Sequence, residues 1–334
     1  MATIALERVR KEFGGVTAVA GASLDVQDGE WFVIAGPPGA GKSTLLRLVS
    51  GHDVPTSGRV LFGGLDVTEQ PPETRYLQVV RPLSAVPRTG PSRWFHHQSP
   101  EPPAVEQLRA ALSSAAGRGP RLAAVLADEP FAGLEPAPRA TARAALQRLH
   151  RQVRATVLHA SSDQGDAVAL AHRLAVLIDG VVAQVGTPLQ VYERPATAAV
   201  ASFIGAPGIN LIAGRVELRQ REPAFVASGR VLATLPPGAA VLDGRPVTLG
   251  VRPPDVVISP NGRGLDGTVE LVEPAGPQQT VRATLADGWP LTMVAPARPP
   301  LAPGAYVRVA LRPDRLHLFG PDGRRFVAAD PSPG

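Results

Sequence analysis

Nine consecutive residues combine glycines, a lysine and two hydroxyl side chains at a spacing that can bind phosphate. They fit G-x-x-x-x-G-K-[ST] and are Gly36, Pro37, Pro38, Gly39, Ala40, Gly41, Lys42, Ser43 and Thr44. Glycines let backbone N–H groups curl around an anion, and the N-terminus of a following helix adds partial positive charge. Lys42 can reach the β- and γ-phosphates of a nucleotide, and the Ser43 hydroxyl can ligate Mg²⁺. The stretch therefore predicts a site for a nucleoside triphosphate with Mg²⁺.

The residues on either side of this loop supply the secondary structure that the motif requires. Trp31–Ala35 is an apolar run that predicts a buried strand, and residues 43–50 have the spacing of an amphipathic helix that stops at Gly51. Of the chain's 34 basic residues only Lys11 and Lys42 are lysine, so an arginine-rich chain still places lysine where a compact charge is needed. The alternative is a chance glycine turn before a helix, which the complete and correctly framed motif disfavours.

A second group that can act on a nucleotide comes at the end of another predicted strand. Residues 122–127 are apolar and run directly into Asp128 and Glu129. Asp128 can hold Mg²⁺, directly or through water, and Glu129 can orient or deprotonate an attacking water. Many strands end in an acidic residue, so this pattern gains weight only beside the phosphate loop. We predict Glu129 as the catalytic residue, and Ser43 with Asp128 as the metal ligands.

One aromatic side chain is a candidate for contact with a nucleotide base. Phe13 follows an alternating stretch, residues 3–9, that predicts an edge strand, and it precedes Gly14 and Gly15. An aromatic ring in such a loop can stack on a base, although a single loop aromatic more often packs against protein. Both interpretations stay open, and Phe13 is included among the predicted nucleotide contacts.

The composition of the chain excludes several classes of protein. The 334 residues carry a net charge of +5 and no basic run of the kind that binds nucleic acid, so we expect no nucleic-acid partner. The absence of cysteine excludes disulfides and thiolate metal sites, and it suits a reducing cytoplasm. No apolar run approaches about 18 residues, and the N-terminus lacks the pattern of a signal peptide. A role at a membrane would therefore require a partner protein.

Strands and helices alternate over residues 1–205, which predicts an α/β domain built around the phosphate loop. Further predicted strands are 22–26, 58–67 (a hairpin turning at Gly63 and Gly64), 155–160 and a closing hairpin at 174–185. Predicted helices are 104–116, 139–151, 166–172, 188–192 and 197–204. After Gly205 short strands and frequent turns replace the helices, as in segments 247–251, 267–272, 280–285 and 306–311. Residues 206–334 therefore predict a small all-β domain of antiparallel barrels.

Taken together, these features resemble the ATP-binding subunits of ABC transporters, in the sugar- and polyol-importer branch that carries C-terminal TOBE domains. The resemblance covers nearly the whole chain and rests on residues 36–51, 55–59, 71–75, 128–130, 178–180, 184–188, 207–211, 249–253 and 316–319. It implies an ABC-type α/β P-loop NTPase followed by a small all-β domain of the OB-like TOBE type.

The resemblance also implies a mechanism and a set of partners. Two ATP-binding subunits, as a homodimer or heterodimer, would hold two ATP–Mg²⁺ between them, each on one subunit's P-loop and capped by the other's LSGGQ signature. Closure of the dimer would drive transmembrane permease subunits that receive solute from a solute-binding protein. The chain would hydrolyse ATP to ADP and phosphate at the cytoplasmic face of the membrane, held there peripherally by the permease subunits.

The sequence departs from the family's pattern at three positions. Arg81 and Pro82 occupy the place of the loop glutamine that senses Mg²⁺, and the window for LSGGQ, residues 100–104, is Pro-Glu-Pro-Pro-Ala. Ser162 stands where a switch histidine that contacts the γ-phosphate is expected, and His159, inside a strand pattern, is not assigned that role. The short stretch between Pro82 and Asp128 predicts a truncated helical subdomain.

These departures leave two functions open. One is an importer ATPase that couples ATP binding and hydrolysis to uptake of a sugar or related solute, with turnover that is impaired or dependent on a partner. The other is a catalytically weak subunit that binds nucleotide and regulates or scaffolds an importer. The proline-rich stretch 82–103 is either genuine divergence or an out-of-frame reading of the gene.

Overall fold

The computed structural model describes residues 3–80, 103–117, 124–259 and 264–326. Internal contacts divide the chain into two units, Met1–Glu193 and Arg194–Gly334. Residues 194–205 therefore group with the second unit by contacts, whereas the sequence pattern places them before the predicted boundary at residue 205. That predicted boundary stays a prediction.

Ten strands and five α-helices make up the described part of the first unit. The strands are β1 (Ile4–Phe13), β2 (Val16–Val26), β3 (Trp31–Ala35), β4 (Ser57–Phe62), β5 (Leu65–Asp66), β6 (Leu77–Val80), β7 (Ala124–Asp128), β8 (Val157–Ser161), β9 (Arg173–Ile178) and β10 (Val181–Gly186). The helices are α1 (Lys42–Ser50), α2 (Pro103–Gly117), α3 (Pro136–Val153), α4 (Gln164–Leu170) and α5 (Pro188–Glu193). The alternation predicted from the sequence is confirmed.

The strands of this unit form two sheets. An antiparallel sheet has the order β2-β1-β4-β5, and a larger sheet has the order β10-β9-β3-β8-β7-β6. In the larger sheet β10 pairs antiparallel with β9, and the other neighbours pair in parallel. Because parallel strands bring their carboxyl ends to one edge of a sheet, the loops that follow β3, β7 and β8 meet there. The predicted phosphate loop and the predicted acidic pair thus lie at the same edge.

Strands β3, β7 and β8 are mostly apolar because both faces of the sheet are covered. Every residue of β3 and β8 is buried, and in β7 only Asp128 at the carboxyl end is partly exposed. The predictions for these strands are confirmed. Strand β6 was not predicted, because its four residues are mostly half-buried and show neither a buried run nor a clean alternation.

Left-handed glycines lie at both ends of the helix that follows the phosphate loop, and the predicted stop at Gly51 is confirmed. Gly41 precedes α1 with φ +97°, and Gly51 ends it with φ +79°. The buried guanidinium of Arg75 donates hydrogen bonds to the carbonyl oxygens of Leu48 and Val49, both at 2.8 Å. These bonds satisfy carbonyls of the last helical turn and place a cation at the negative end of the helix.

Helix α4 occupies a different range from its prediction, 166–172. It begins at Gln164 because the carboxylate of Asp163 caps it, accepting a hydrogen bond from the backbone N–H of Asp166 at 3.0 Å. It ends at Leu170, since the imidazole of His172 instead accepts a hydrogen bond at Nδ1 from the Trp31 backbone at 3.1 Å. The helix therefore ends two residues before its predicted end, and β9 begins at Arg173, one residue before the predicted strand.

The described part of the second unit consists of one α-helix, α6 (Ala198–Phe203), and ten strands. The strands are β11 (Asn210–Arg219), β12 (Glu222–Ala227), β13 (Arg230–Thr234), β14 (Pro246–Val251), β15 (Val256–Ile258), β16 (Leu265–Ala275), β17 (Gln278–Leu285), β18 (Pro290–Pro296), β19 (Tyr306–Leu311) and β20 (Leu316–Phe319). They form two antiparallel sheets, β13-β12-β11-β14-β20 and β15-β19-β16-β17-β18. Both sheets contribute to one apolar core, which confirms the predicted all-β character.

Candidate nucleotide site

The phosphate loop passes two neighbouring strands so closely that only glycine fits at two of its positions. A Cβ added at Gly36 would lie 2.2 Å from the carbonyl oxygen of Leu177 in β9. A Cβ added at Gly41 would lie 2.3 Å from the carbonyl oxygen of Ala18 in β2, and Gly41 also has the left-handed φ of +97°. The glycines of the motif are thus required by the packing of the loop between β2 and β9 as well as by its curvature.

The remaining loop residues lie where the motif predicts them. Ala40 is buried and its N–H donates to the carbonyl oxygen of Pro37 at 3.2 Å, which closes the turn. Pro38 and Gly39 are exposed at the tip of the loop, and Thr44 is half-buried in the first turn of α1. The loop therefore presents its tip to solvent at the carboxyl edge of the larger sheet.

Lys42 places its ammonium inside the loop. Its Nζ donates to the carbonyl oxygens of Gly36 and Pro37, both at 2.9 Å, and lies 3.6 Å from Oε1 of Glu129. Burial is the largest influence on the pKa of Lys42 and lowers it, against the raising effect of the Glu129 and Asp128 carboxylates. A partly desolvated cation that is held by weak carbonyl acceptors can turn to a stronger anionic one.

Ser43 and Asp128 come together although 85 residues separate them. The Ser43 hydroxyl donates to Oδ1 of Asp128 at 3.1 Å, which joins the start of α1 to the end of β7. Hydroxyl and carboxylate oxygens are the ligands that Mg²⁺ takes in sites that also use substrate phosphates. The two predicted metal ligands thus form one oxygen cluster beside the phosphate loop.

Glu129 follows β7 in an unusual backbone conformation. Its φ is +44°, and its N–H donates to the carbonyl oxygen of Ala160 in β8 at 2.9 Å. A left-handed φ is uncommon for a residue with a side chain, and it often occurs at functional sites. This turn leaves the carboxylate one-quarter exposed at the edge of the sheet, next to Lys42. The structure therefore brings the predicted catalytic residue to the predicted phosphate loop.

Ser162 lies at the same edge, directly after β8. The carbonyl oxygen of its neighbour Ser161 accepts from the N–H of Gly36 at 3.3 Å, so the end of β8 adjoins the start of the phosphate loop. His159 is fully buried inside β8, where its ring packs against Trp31 and Phe131. Burial lowers the pKa of His159 to about 3, which keeps this imidazole neutral. His159 is thus a core residue, as the strand pattern indicated.

Phe13 ends β1 in the hairpin that it forms with β2. Its ring is about half exposed (48%), and the ammonium of Lys11 lies 4.9 Å from the ring centroid. In the same hairpin Ala18 runs past Gly41, so this end of the antiparallel sheet adjoins the phosphate loop. An exposed ring face at that place suits stacking on a base, and the contact with a nucleotide stays a prediction.

The other two departures from the family's pattern fall wholly or mostly outside the described residues. Arg81 and Pro82, at the position of the loop glutamine, lie outside the described residues. The signature window 100–104 also lies outside them, except for its last two residues in α2. Among the residues that are described, no group of three or more histidine and acidic side chains could hold a metal, and no helix is long and apolar enough to cross a membrane.

Two residues beside the site were not among the predicted ones. Arg139 in α3 donates through Nη2 to the carbonyl oxygen of Phe131 at 2.9 Å and forms an ion pair with Asp163. The sequence did contain a pattern that indicates the position of Asp163, since an aspartate directly before a helical pattern predicts a helix cap. No sequence pattern distinguished Arg139 from the other 31 arginines of the chain.

The residues described above fit a nucleoside triphosphate bound with Mg²⁺. The left-handed glycines and Lys42 form a cradle for phosphates, and the cluster of Ser43 and Asp128 supplies hard oxygen ligands. Glu129 adds a carboxylate next to both. The arrangement is suited to binding a triphosphate and to activating a water against it.

Comparisons with known proteins agree with this geometry. The ABC transporter family matches residues 19–165, and the TOBE domain family matches residues 249–319. An sn-glycerol-3-phosphate import ATP-binding protein, UgpC 2 of Agrobacterium fabrum, is 34% identical in an alignment that covers 96% of this chain and 93% of that relative.

A second relative gives the same result. The sn-glycerol-3-phosphate import ATP-binding protein UgpC of Brucella abortus is 33% identical, and the match covers 97% of this chain and 99% of that relative. A further relative, a putative ATP-binding protein of Brucella abortus, is 30% identical over 96% of this chain. The chain therefore belongs to the ABC transporter family, with an ATP-binding domain followed by a C-terminal TOBE domain.

Proposed function

We propose that this protein is the ATP-hydrolysing subunit of a membrane importer. One observation carries the proposal. Two contacts, Lys42 with Glu129 and Ser43 with Asp128, join the phosphate loop to the acidic end of β7 at one edge of the sheet. The import function named for the relatives supports the same conclusion. The alternative, a nucleotide-binding scaffold subunit, would not require this set of four groups to stay together.

Each residue has a distinct role in the proposed reaction. Bound Mg²⁺ would neutralise part of the charge that develops on the phosphates. Lys42 and the loop N–H groups bind the triphosphate, while Ser43 and Asp128 orient their oxygens toward the metal position. Glu129 orients the attacking water and accepts its proton. Phe13 holds the base through its exposed ring face.

The finer part of the proposal is that turnover is slow unless a partner chain completes the site. At the edge where a switch histidine is expected, Ser162 offers a short hydroxyl in place of an imidazole. Loss of one donor aimed at the developing charge typically lowers the rate by about 10²–10³. This substitution supports a turnover that depends on groups supplied by a second ATP-binding subunit, as a homodimer or heterodimer.

The proposed partners follow from the same function. Transmembrane permease subunits would receive the motion of the dimer and would hold this chain at the cytoplasmic face of the membrane, and a solute-binding protein would deliver the solute. The relatives named for sn-glycerol-3-phosphate import support a sugar, polyol or glycerol phosphate as that solute. ATP and Mg²⁺ are the proposed cofactors.

Phosphate release in the presence and absence of permease subunits tests the proposal. We expect the purified chain to release phosphate slowly from ATP–Mg²⁺ and the reconstituted importer to release it faster. Glu129→Gln should abolish release in both, because the amide cannot accept a proton from water. Ser162→His should raise the rate of the purified chain by about tenfold or more, because it restores a donor at the edge of the sheet.

A matched variant separates these effects from a general loss of charge. Glu222→Gln changes an exposed glutamate in the second unit, and its phosphate release should equal that of the unmodified chain. Release that is unchanged by Glu129→Gln would contradict the assignment of the catalytic residue. A reconstituted importer that transports solute without any phosphate release from this chain would contradict the proposed function.

A further inference from the structure

One arginine joins the two loops that end at the nucleotide site. Arg139 lies in the first turn of α3, and its side chain is largely buried, with 18% exposed. Its guanidinium contacts the loop after β7 and the loop after β8 at the same time. Guanidinium is a planar fork that can donate in two directions, which a lysine ammonium on a flexible stem does less well.

The first contact holds the loop that carries Glu129. Nη2 of Arg139 donates to the carbonyl oxygen of Phe131 at 2.9 Å. Phe131 comes two residues after Glu129, is buried, and packs its ring against His159 at a centroid distance of 5.7 Å. The N–H of Ala132 also donates to the carbonyl oxygen of Glu129 at 3.0 Å. The Arg139 contact therefore restrains the short turn from which the Glu129 carboxylate projects.

The second contact holds the loop that carries Ser162. Nη1 of Arg139 forms an ion pair with Oδ2 of Asp163, the next residue after Ser162. Asp163 is fixed in turn, because its N–H donates to the Ser161 hydroxyl at 3.1 Å and its Oδ1 accepts from the N–H of Asp166 at 3.0 Å. The carboxyl end of β8 and the start of α4 are thus linked through Asp163 to the same guanidinium.

We propose that Arg139 is a positioning residue for ATP hydrolysis, which fixes the loop of Glu129 and the loop of Ser162 relative to each other. This inference rests on the proposed function of the site. It extends that function to a residue that touches neither nucleotide nor metal and acts through two backbone segments. Removing the guanidinium would leave Glu129 in place along the chain but less well fixed against the edge of the sheet.

Arg143 provides a control one helical turn further along α3. Its Nη1 lies 3.3 Å from Oδ1 of Asp166, and its side chain is 20% exposed, close to the value for Arg139. This ion pair joins α3 to α4 and does not include the loop after Glu129. A role in stability alone would therefore give Arg139 and Arg143 similar effects.

Arg139→Met and Arg143→Met, each measured beside the unmodified chain, test the proposal. We expect Arg139→Met to lower kcat for phosphate release by about tenfold or more, with KM for ATP unchanged within about twofold. Arg143→Met should leave kcat within about twofold. Arg139→Lys should fall between Arg139→Met and the unmodified chain, since one ammonium cannot serve both acceptors as well. The melting temperatures of the two methionine variants should be similar, because the buried Nε of Arg139 has no hydrogen-bond partner and offsets part of its stabilising effect.

Hydrogen–deuterium exchange supplies a readout that does not depend on turnover. Arg139→Met should speed exchange of backbone amides in both segments, 129–134 and 162–166, by about tenfold, whereas Arg143→Met should affect only the second. Equal kcat values or equal exchange patterns in the two methionine variants would overturn the proposal. If the unmodified chain released phosphate no faster than Lys42→Ala, the proposed function would fail, and the exchange comparison would still decide the role of Arg139.

Discussion

Two glycines of the phosphate loop share a left-handed backbone but differ in their surroundings. Gly39 has φ +81° and no atom within 4 Å of an added Cβ, whereas Gly41 has φ +97° and the carbonyl oxygen of Ala18 at 2.3 Å from that position. Conformation and steric fit can therefore be separated by experiment. A side chain introduced at position 39 would be strained only by the left-handed φ. A side chain introduced at position 41 would be strained by φ and would also clash with the backbone of β2.

Alanine at these two positions should therefore have unequal effects. Gly39→Ala should lower the free energy of unfolding by about 1–2 kcal/mol, the usual cost of a left-handed φ for a residue with Cβ. Gly41→Ala should lower it further and also weaken ATP binding, because the loop must move away from β2. Urea denaturation and ATP titration of both variants check this, and equal losses would contradict the close packing against Ala18.

Asp166 is a buried carboxylic acid whose protonation should affect stability near neutral pH. Burial raises its pKa to about 6, with a further raising effect from Asp163, while Arg139, Arg143 and the Ser161 hydroxyl act in the opposite direction. The folded chain therefore binds this proton more tightly than the unfolded chain does. The resulting stabilisation is fully present below about pH 4 and is lost as the pH rises through about 6.

Asp166→Asn removes this titration and should change the pH dependence of stability. We expect the free energy of unfolding of the variant, relative to the unmodified chain, to rise by about 2 kcal/mol between pH 4.5 and 7.5. Urea denaturation at both pH values measures the change. Asp53→Asn is the control, because the hydrogen bond from Arg47 lowers the pKa of Asp53. Asp53 therefore titrates below this pH range, and the relative stability of Asp53→Asn should stay nearly constant between the two pH values. A relative stability of Asp166→Asn that does not vary with pH would be the contrary result.

At the scale of elements, the sequence predicted best where one signal was strong and local. The buried strand β3, the phosphate loop and α1 follow from an apolar run, a complete motif and a glycine stop. The meeting of Ser43 with Asp128 was predictable only through the parallel arrangement of β3 and β7, which the alternation of strands and helices indicated.

The elements that the sequence did not predict depend on tertiary contacts. Strand β6 is short and gains its pairing from β7. The start of α4 depends on the Asp163 cap, and its end depends on the bond between Trp31 and His172. The role of Arg139 depends on two loops that are distant in sequence. No periodicity of side chains encodes such contacts.

The boundary between the two domains can be tested through one buried cation that contacts helix α6. Arg252 directly follows β14 and is almost fully buried. Its Nη1 donates to the carbonyl oxygens of Ala201, at 3.2 Å, and Ile204. These acceptors belong to α6 and the residue after it. A fragment that begins at residue 206 would lose both acceptors, whereas a fragment that begins at residue 194 would keep them.

We expect the fragment 194–334 to be more stable than the fragment 206–334 by about 3 kcal/mol or more, because hydrogen bonds to a buried charged group are lost in the shorter one. Thermal or urea denaturation of the two fragments measures the difference. Equal stability would favour the boundary at residue 205 that the sequence pattern predicts. Arg252→Met in the longer fragment serves as the control, since it removes the cation together with its need for acceptors.

At the scale of the whole molecule, chemistry is concentrated in the first unit. The phosphate loop, the acidic end of β7 and the linking residue Arg139 all belong to it. The second unit, which contains the TOBE match, has ten strands and one short α-helix in its described part and carries none of the predicted site residues. The imported solute was not predictable, because its selection is expected in the permease and solute-binding partners.

Calorimetric titration of ATP tests most directly whether Lys42, Ser43 and Asp128 bind ATP together with Mg²⁺. The unmodified chain should bind ATP–Mg²⁺, and Lys42→Ala should bind it about tenfold or more weakly, because a charge-assisted contact with phosphate is lost. Removal of Mg²⁺ with a chelator should weaken binding to the unmodified chain more than binding to Ser43→Ala. An unmodified chain that binds ATP no more tightly than Lys42→Ala, with no effect of Mg²⁺ on either, would contradict the claim.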